Sequence, residues 1–312
     1  MQRSLNLGGH AGIFWKNLKV MKTILIATDY SRASTNALEY AAMLAQSTGA
    51  KLAIINAYTL SVPMAASATS LYGVKLIMAE NQERLEKLAK VISRTYQIVT
   101  EAISINGSIE TALEKQVHRL GADLVVMGMK GGSFSRKLFG SSTTYVMEHA
   151  SYPVLIIPDH AQFNGLSRIM LAYDAKYLRA NNTLFFLKEL AEHFKAKVEV
   201  LHVVQGQVPE FYEMPEVYNI KEVLDGIDFY FRHLETNSVL EGIQQGMEEL
   251  KADMLVMVPH KAAFWESVFT SSKTRYMSFT SHVPLLVLPN ISNTRKGRET
   301  NSGKGALRPV AG

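Results

Sequence analysis

The residues best suited to chemistry are three glycines and the two serines that follow them. Gly128-Met129-Lys130-Gly131, a basic spacer and Gly140-Ser141-Ser142-Thr143 join an apolar run at 124–127 to a helical pattern at 144–150. Glycine has no Cβ, so backbone N–H groups beside it can approach an anion closely. A helix start adds unpaired N–H donors and the positive end of the helix dipole. A strand that empties through such a loop into a helix is therefore a phosphate-holding arrangement. The same glycines would also suit a merely tight connection; Lys130, Arg136 and the serine-rich helix start favour the anion. Asp29 closes another apolar run just before Ser31, and reads either as a ligand contact or as a turn and N-cap residue.

The elements that must position these residues occur twice. Residues 22–29 (KTILIATD) and 168–174 (RIMLAYD) are basic-led strands ending in Asp, each followed by an amphipathic segment, at 31–48 and 177–195. Second strands follow at 51–58 and 197–204. Later come the matched runs 121–127 (GADLVVM) and 251–257 (KADMLVM), and closing strands at 152–158 and 282–289. Between them, Val74, Ile77, Met78, Leu85, Leu88 and Ile92 predict a long amphipathic helix, then a strand over 98–103. The second half is shorter there, with a helix near 217–224 and a strand near 227–233. Gly49 predicts a helix C-cap, and Ser108 and Ser238 predict N-caps. Five near-continuous apolar strands alternating with helices in each half imply a parallel sheet covered on both faces.

In the second copy the three glycines are replaced by Val258, Lys261 and Thr270, while both spacers keep eight residues, 132–139 and 262–269. β-Branched Val and Thr resist positive φ, and all three side chains take space a phosphate needs. Pro259 also removes a backbone donor. Thr270-Ser271-Ser272-Lys273 retains the makings of a small-anion site, but polyphosphate binding is expected in the first copy alone.

Other chemistry is sparse. With no Cys among 312 residues, disulfides, thiolate metal sites and thiol catalysis are excluded, and a reducing compartment is suited. No Gly-x4-Gly-Lys-Ser/Thr or Gly-x-Gly-x-x-Gly pattern occurs, nor paired-His metal spacing, nor a nucleophile with an adjacent base. An enzyme is thus not the leading expectation. His202 reads as a core residue, and His260 as a surface one. No apolar run approaches the ~18 residues that a membrane span needs. The net charge of +5 sits partly in a Gly/Ser/Asn/Thr-rich tail, 291–312, which reads as disordered and basic. Without aromatic interleaving it is not expected to bind nucleic acid. Residues 1–20 read as an N-terminal extension outside either repeat, with Phe14 and Trp15 able to dock on the surface.

The Asp-ending first strand, the 124–127 strand entering Gly128-x-x-Gly131, the Gly140-Ser141 helix start and the Pro-bounded closing strand 153–158 together resemble the universal stress protein family. The resemblance covers about 21–290 and takes the tandem two-domain form. In that family's ATP-binding members the loop reads Gly-x2-Gly-x9-Gly-Ser/Thr; here the second spacer is one residue shorter. The resemblance implies two open five-stranded parallel-sheet α/β domains, 21–160 and 166–290. It also implies ATP bound in the first, with Asp29 facing the nucleoside and Ala27 and Ala57 near the base. Gly128 and Gly131 would line the ribose–phosphate path, and Gly140, Ser141 and Ser142 would donate to phosphates, which would hold Mg2+. Family members pair closing strands to form dimers, so here the two closing strands could meet within one chain, with a homodimer as a further expectation. A cytoplasmic stress-response regulator or sensor follows, its second domain structural or partner-binding. The alternative is a nucleotide-independent interaction scaffold.

Overall fold

A computed structural model describes residues 21–60, 68–129, 141–173, 183–204, 215–259 and 282–289. The first half runs β1 (Thr23–Ala27), α1 (Arg32–Thr48), β2 (Lys51–Tyr58), α2 (Ala68–Tyr96), β3 (Thr100–Asn106), α3 (Ile109–Leu120), β4 (Leu124–Met129), α4 (Ser141–His149) and β5 (Val154–Pro158). The second runs β6 (Arg168–Ala172), α5 (Phe185–Phe194), β7 (Lys197–Val204), α6 (Pro215–Leu224), β8 (Phe229–Glu235), α7 (Val239–Leu250), β9 (Met254–Met257) and β10 (Leu285–Val287). These strands make one ten-stranded sheet in the order β3-β2-β1-β4-β5-β10-β9-β6-β7-β8.

Within each half every strand pair is parallel. The halves join through β5 and β10, which run antiparallel with Leu155 opposite Leu286. Each half is the open five-stranded sheet that the repeats predict, and the second is inverted relative to the first. Both closing strands would otherwise expose a row of unpaired N–H and C=O groups, and joining them removes two edges at once. All five residues of β1 and all five of β5 are buried, as strands covered on both faces must be.

Side-chain alternation sorts the apolar residues into two cores, one per face, and each core runs through both halves. On one face Tyr40 of α1 meets Phe163 edge-on at 5.2 Å, and Phe163 meets Phe194 of α5 at 5.9 Å. Asn36 of α1 donates to the Pro158 and Ala161 carbonyls, tying the helix to the end of β5. Two aspartates repeat one device. The Asp123 carboxylate accepts from the N–H groups of Lys22 and Thr23, and Asp253 accepts from those of Ser167 and Arg168. Each carboxylate thereby pins the entry to the first strand of its half with charge-assisted bonds.

The helix ends differ between copies. Ser31 and Ser108 cap α1 and α3 through their hydroxyls, whereas Ser238 makes no side-chain cap bond to α7. At the C-terminus of α3, Gly121 holds the left-handed conformation at φ 58°; its counterpart after α7 is Lys251 at φ 53°. A Cβ in that region costs about 1 kcal/mol, so the second copy keeps the cap geometry at a cost the first avoids. The helix expected over 31–48 begins at Arg32 because Ser31 is its cap, and that over 177–195 is described only as Phe185–Phe194. The strand expected over 124–127 continues through Gly128, opposite Ile157, to Met129. His202 is half-buried beside Tyr173 and His233, ring centroids 5.7 Å away in each case.

Candidate functional site

The strand order places β1 between β2 and β4, so the chain leaves β1 to one side and later returns to its other side. Open α/β sheets bind ligands beyond the carboxyl ends of the strands at such a switch point. A cavity of about 280 Å³ lies there, lined by Ala27, Thr28 and Asp29 after β1, Ala57 of β2, and Met127 and Gly128 of β4. Ser31, Ala33 and Ser34 line it from the start of α1, Ile109 from α3, and Ser141, Ser142 and Thr143 from α4. Three helix N-termini therefore face one space, each bringing unpaired N–H groups and a positive dipole end. The volume is near the lower end of ordinary small-molecule sites, roughly 300 Å³.

The end of β1 is held rigidly. The Thr28 N–H donates to the Ile55 carbonyl at 2.8 Å, and Asn56 Nδ2 donates to the Thr28 carbonyl at 2.7 Å. Thr28 Oγ1 accepts from the Tyr30 N–H at 3.1 Å and lies 3.2 Å from Ser34 Oγ. Tyr30 takes a left-handed φ of 60°, uncommon for an aromatic residue, and its ring packs against the core with the Arg84 guanidinium of α2 3.9 Å above it. Burial pushes the Tyr30 hydroxyl's pKa up, against the opposing pull of Arg84. Asp29 Oδ1 accepts from the Ser31 N–H at 3.0 Å, an Asx turn, while Asp29 itself stays exposed at the cavity. One Asp29 oxygen shapes the turn, and the residue also lines the cavity.

Gly128 has a role that sequence alone conceals. A Cβ there would stand 2.5 Å from the Ala33 carbonyl oxygen and 2.9 Å from the Ser34 nitrogen. The missing side chain lets α1 start against β4, which in turn brings Ser31 and Ser34 to the cavity. Beyond the residues expected from the sequence, Thr28, Ser31, Ala33, Ser34, Ile109 and Met127 also line the cavity. The capping serines Ser31 and Ser108 were the available signals, because a cap fixes which end of a helix faces the strand ends.

Ala27, Asp29, Ala57, Gly128, Ser141 and Ser142 are thus brought together around one cavity. Gly131 and Gly140, with Lys130 and Arg136, lie outside the described residues, as do His260, Lys261, Thr270, residues 1–20 and the tail 291–312. Among the described residues no cluster of three or more His, Asp or Glu could hold a metal ion directly, and no helix is long and apolar enough to cross a membrane.

Among the described residues, the matching end of the second half carries larger side chains. Strand register equates Ala172 with Ala27 and Leu201 with Ile55, which puts Val203 where Ala57 stands. A Cβ on Gly242 would come within 2.7 Å of both Val203 methyls, so those methyls fill the space against α7. Val258 takes the place of Gly128 and is buried in the core.

Residues 21–158 match the model of the universal stress protein family, a span containing every residue that lines the cavity. The chain is 30% identical over 142 residues to the universal stress protein A homolog of Pasteurella multocida, covering 44% of this chain and 96% of that relative. It is 31% identical over 78 residues to universal stress protein G of Shigella flexneri, 25% of this chain and 54% of that relative, so it spans about half of that protein's length. Its fold is similar to the crystal structure of a universal stress protein from Archaeoglobus fulgidus, with a TM-score of 0.65 at 20% identity over 86% of this chain and 98% of that one. On the relative matched over almost its whole length, and on the family model laid across the half that holds the cavity, the chain belongs to the universal stress protein family.

Proposed function

We propose that the first half binds an adenine nucleotide, ATP by the family pattern, in the cavity beyond β1, β2 and β4, and that the protein acts as a cytoplasmic stress-response regulator or sensor. The observation that carries this reading is the meeting of three helix N-termini around a space floored by small residues, Ala27, Ala57 and Gly128. Small floor residues leave room for a flat base, and the converging dipoles suit phosphate. Gly131 and Gly140 would complete the phosphate cradle with Ser141 and Ser142. Mg2+ would be held through the phosphates, which suits a cavity with one carboxylate, Asp29, on its wall.

The second half is structural or partner-binding in this account. Val203 and Val258 support it by occupying the two positions that Ala57 and Gly128 keep open. The β5–β10 pairing supports reading the chain as an internal pseudo-dimer, to which homodimerisation of whole chains could be added.

Calorimetric titration of the full chain with Mg·ATP tests the site, alongside Ala57→Val, which installs the second half's residue. Saturable binding at one site per chain, weakened at least about tenfold by Ala57→Val, is expected from the lost space. Absence of binding by the parent protein would favour the nucleotide-independent scaffold.

A further inference from the structure

A second cavity, of about 320 Å³, lies at the seam between the halves and shares no lining residue with the first. Its polar wall is His160, Gln162 and Asn164 from the linker after β5, with Asp253 and His282 from the segments that enter β9 and β10. Both imidazoles are exposed, and their ring centroids stand 6.2 Å apart. The Arg32 guanidinium lies 3.3 Å from His160 Nδ1. A guanidinium only donates, so Nδ1 accepts there, through the lone pair that a metal ion would use. The repeat calls for neither imidazole. Aligning the prolines that bound the closing strands, Pro153 and Pro158 with Pro284 and Pro289, sets Ser151 against His282 and Ile291 against His160. The other copy of the motif therefore offers no imidazole at either place.

We propose that this seam cavity binds a divalent transition cation of the Zn2+ class, held by His160 and His282 and completed by water. Half the ring separation, less the radius of an imidazole, is about 2.0 Å, the usual Zn–N bond length. One ion between the rings can therefore reach a nitrogen of each. The space around it has room for the ion's waters, and the Asp253 carboxylate and the Gln162 and Asn164 amides supply polar groups on the wall that faces them. Among the described residues no third imidazole or carboxylate completes the shell, which makes this an exchangeable site. Arg32 competes with the ion for His160 Nδ1, and it has a second partner to turn to in Asp159, 3.8 Å away. His160 follows β5 and His282 precedes β10, so the bound ion ties the halves together across their antiparallel pair. This goes beyond the nucleotide reading and does not depend on it.

The test titrates Zn2+ into the intact, chelator-treated chain and into His160→Gln, His282→Gln and the double variant, after circular dichroism shows unchanged helix content. The parent should bind one Zn2+ that each single variant holds at least about tenfold more weakly and the double variant does not hold. His118→Gln, which removes an exposed imidazole on α3, should change nothing. Co2+ in place of Zn2+ should give visible absorption bands in the parent that the double variant lacks. Excess Mg2+, which takes oxygen ligands, should not displace the ion. Zn2+ should also raise the denaturant midpoint of the parent and leave that of the double variant where it was. Equal Zn2+ affinity and stoichiometry in the parent and the double variant, no binding by the parent, or displacement by Mg2+ would overturn the proposal. Each of those results leaves the nucleotide site standing.

Discussion

The two halves share strand order, repeated aspartate ties and continuous cores, yet at the carboxyl ends of the strands the first half lines a cavity with small residues where the described residues of the second half carry larger ones. The difference lies in a handful of side chains. Ala57 becomes Val203 and Gly128 becomes Val258, both on a backbone whose registers superpose. A further exchange shows how freely charges move on this frame. On the first half's edge, Glu101 of β3 is paired with Arg119 of α3 and with Lys51. In the second half the acid is on the helix and the base on the strand, Glu249 with Arg232, and Arg232 also meets Glu199 of β7, which is 1% exposed. The fold tolerates either polarity, whereas the cavity depends on small residues at fixed places.

The largest expected effect comes from forcing the halves to match. Gly128→Val would drive methyl groups into the Ala33 carbonyl, and denaturant unfolding should show a loss of about 3 kcal/mol as the start of α1 is displaced. Val258→Gly should cost less, about 1–2 kcal/mol, by leaving a void and a more mobile backbone. Equal costs would mean that α1 does not need the glycine. Glu199→Ala, which installs the first half's Ala53, should cost about 3 kcal/mol by leaving the Tyr230 hydroxyl and part of Arg232 without a buried partner. A neutral result would show that Glu249 alone satisfies that cluster.

Smaller effects separate the helix ends. Ser108→Ala should destabilise by about 1 kcal/mol because its hydroxyl caps α3, and Ser238→Ala by only a few tenths because no such bond exists at α7. Lys251→Gly should stabilise by about 1 kcal/mol by relieving a left-handed Cβ. Acid titration should show the weakest signal. Arg119 first, and then Lys51, hold the Glu101 carboxyl below the usual range, so its contribution is present above the unfolded value of about 4.3 and is lost as pH falls through the lower folded value. Glu101→Gln should flatten that part of the stability-versus-pH curve, and an unchanged curve would contradict the pairing.

Much of this was legible in the residues because the chain states it twice. The strands at 51–58 and 197–204 match β2 and β7 residue for residue, since apolar runs starting at lysine after a cap leave little freedom. Ala27, Asp29, Ala57, Gly128, Ser141 and Ser142 meet at one cavity because strand ends and helix starts must converge at a switch point. What stayed hidden depends on contacts distant in sequence. Nothing local in the chain shows that Gly128 is demanded by Ala33, or that Tyr30 turns left-handed under Arg84. Ser238 misled for the converse reason: its type and place suit a cap, but its φ of −140° and ψ of 128° accompany no bond to the helix.

The central claim is that one half receives the nucleotide and the other has closed the same place. Amide hydrogen exchange of the intact chain with and without saturating Mg·ATP reads both halves at once. The account predicts added protection at the ends of β1, β2 and β4 and in the first turns of α1, α3 and α4, with the ends of β6, β7 and β9 unchanged. Protection confined to the second half, or spread equally over both, would contradict it.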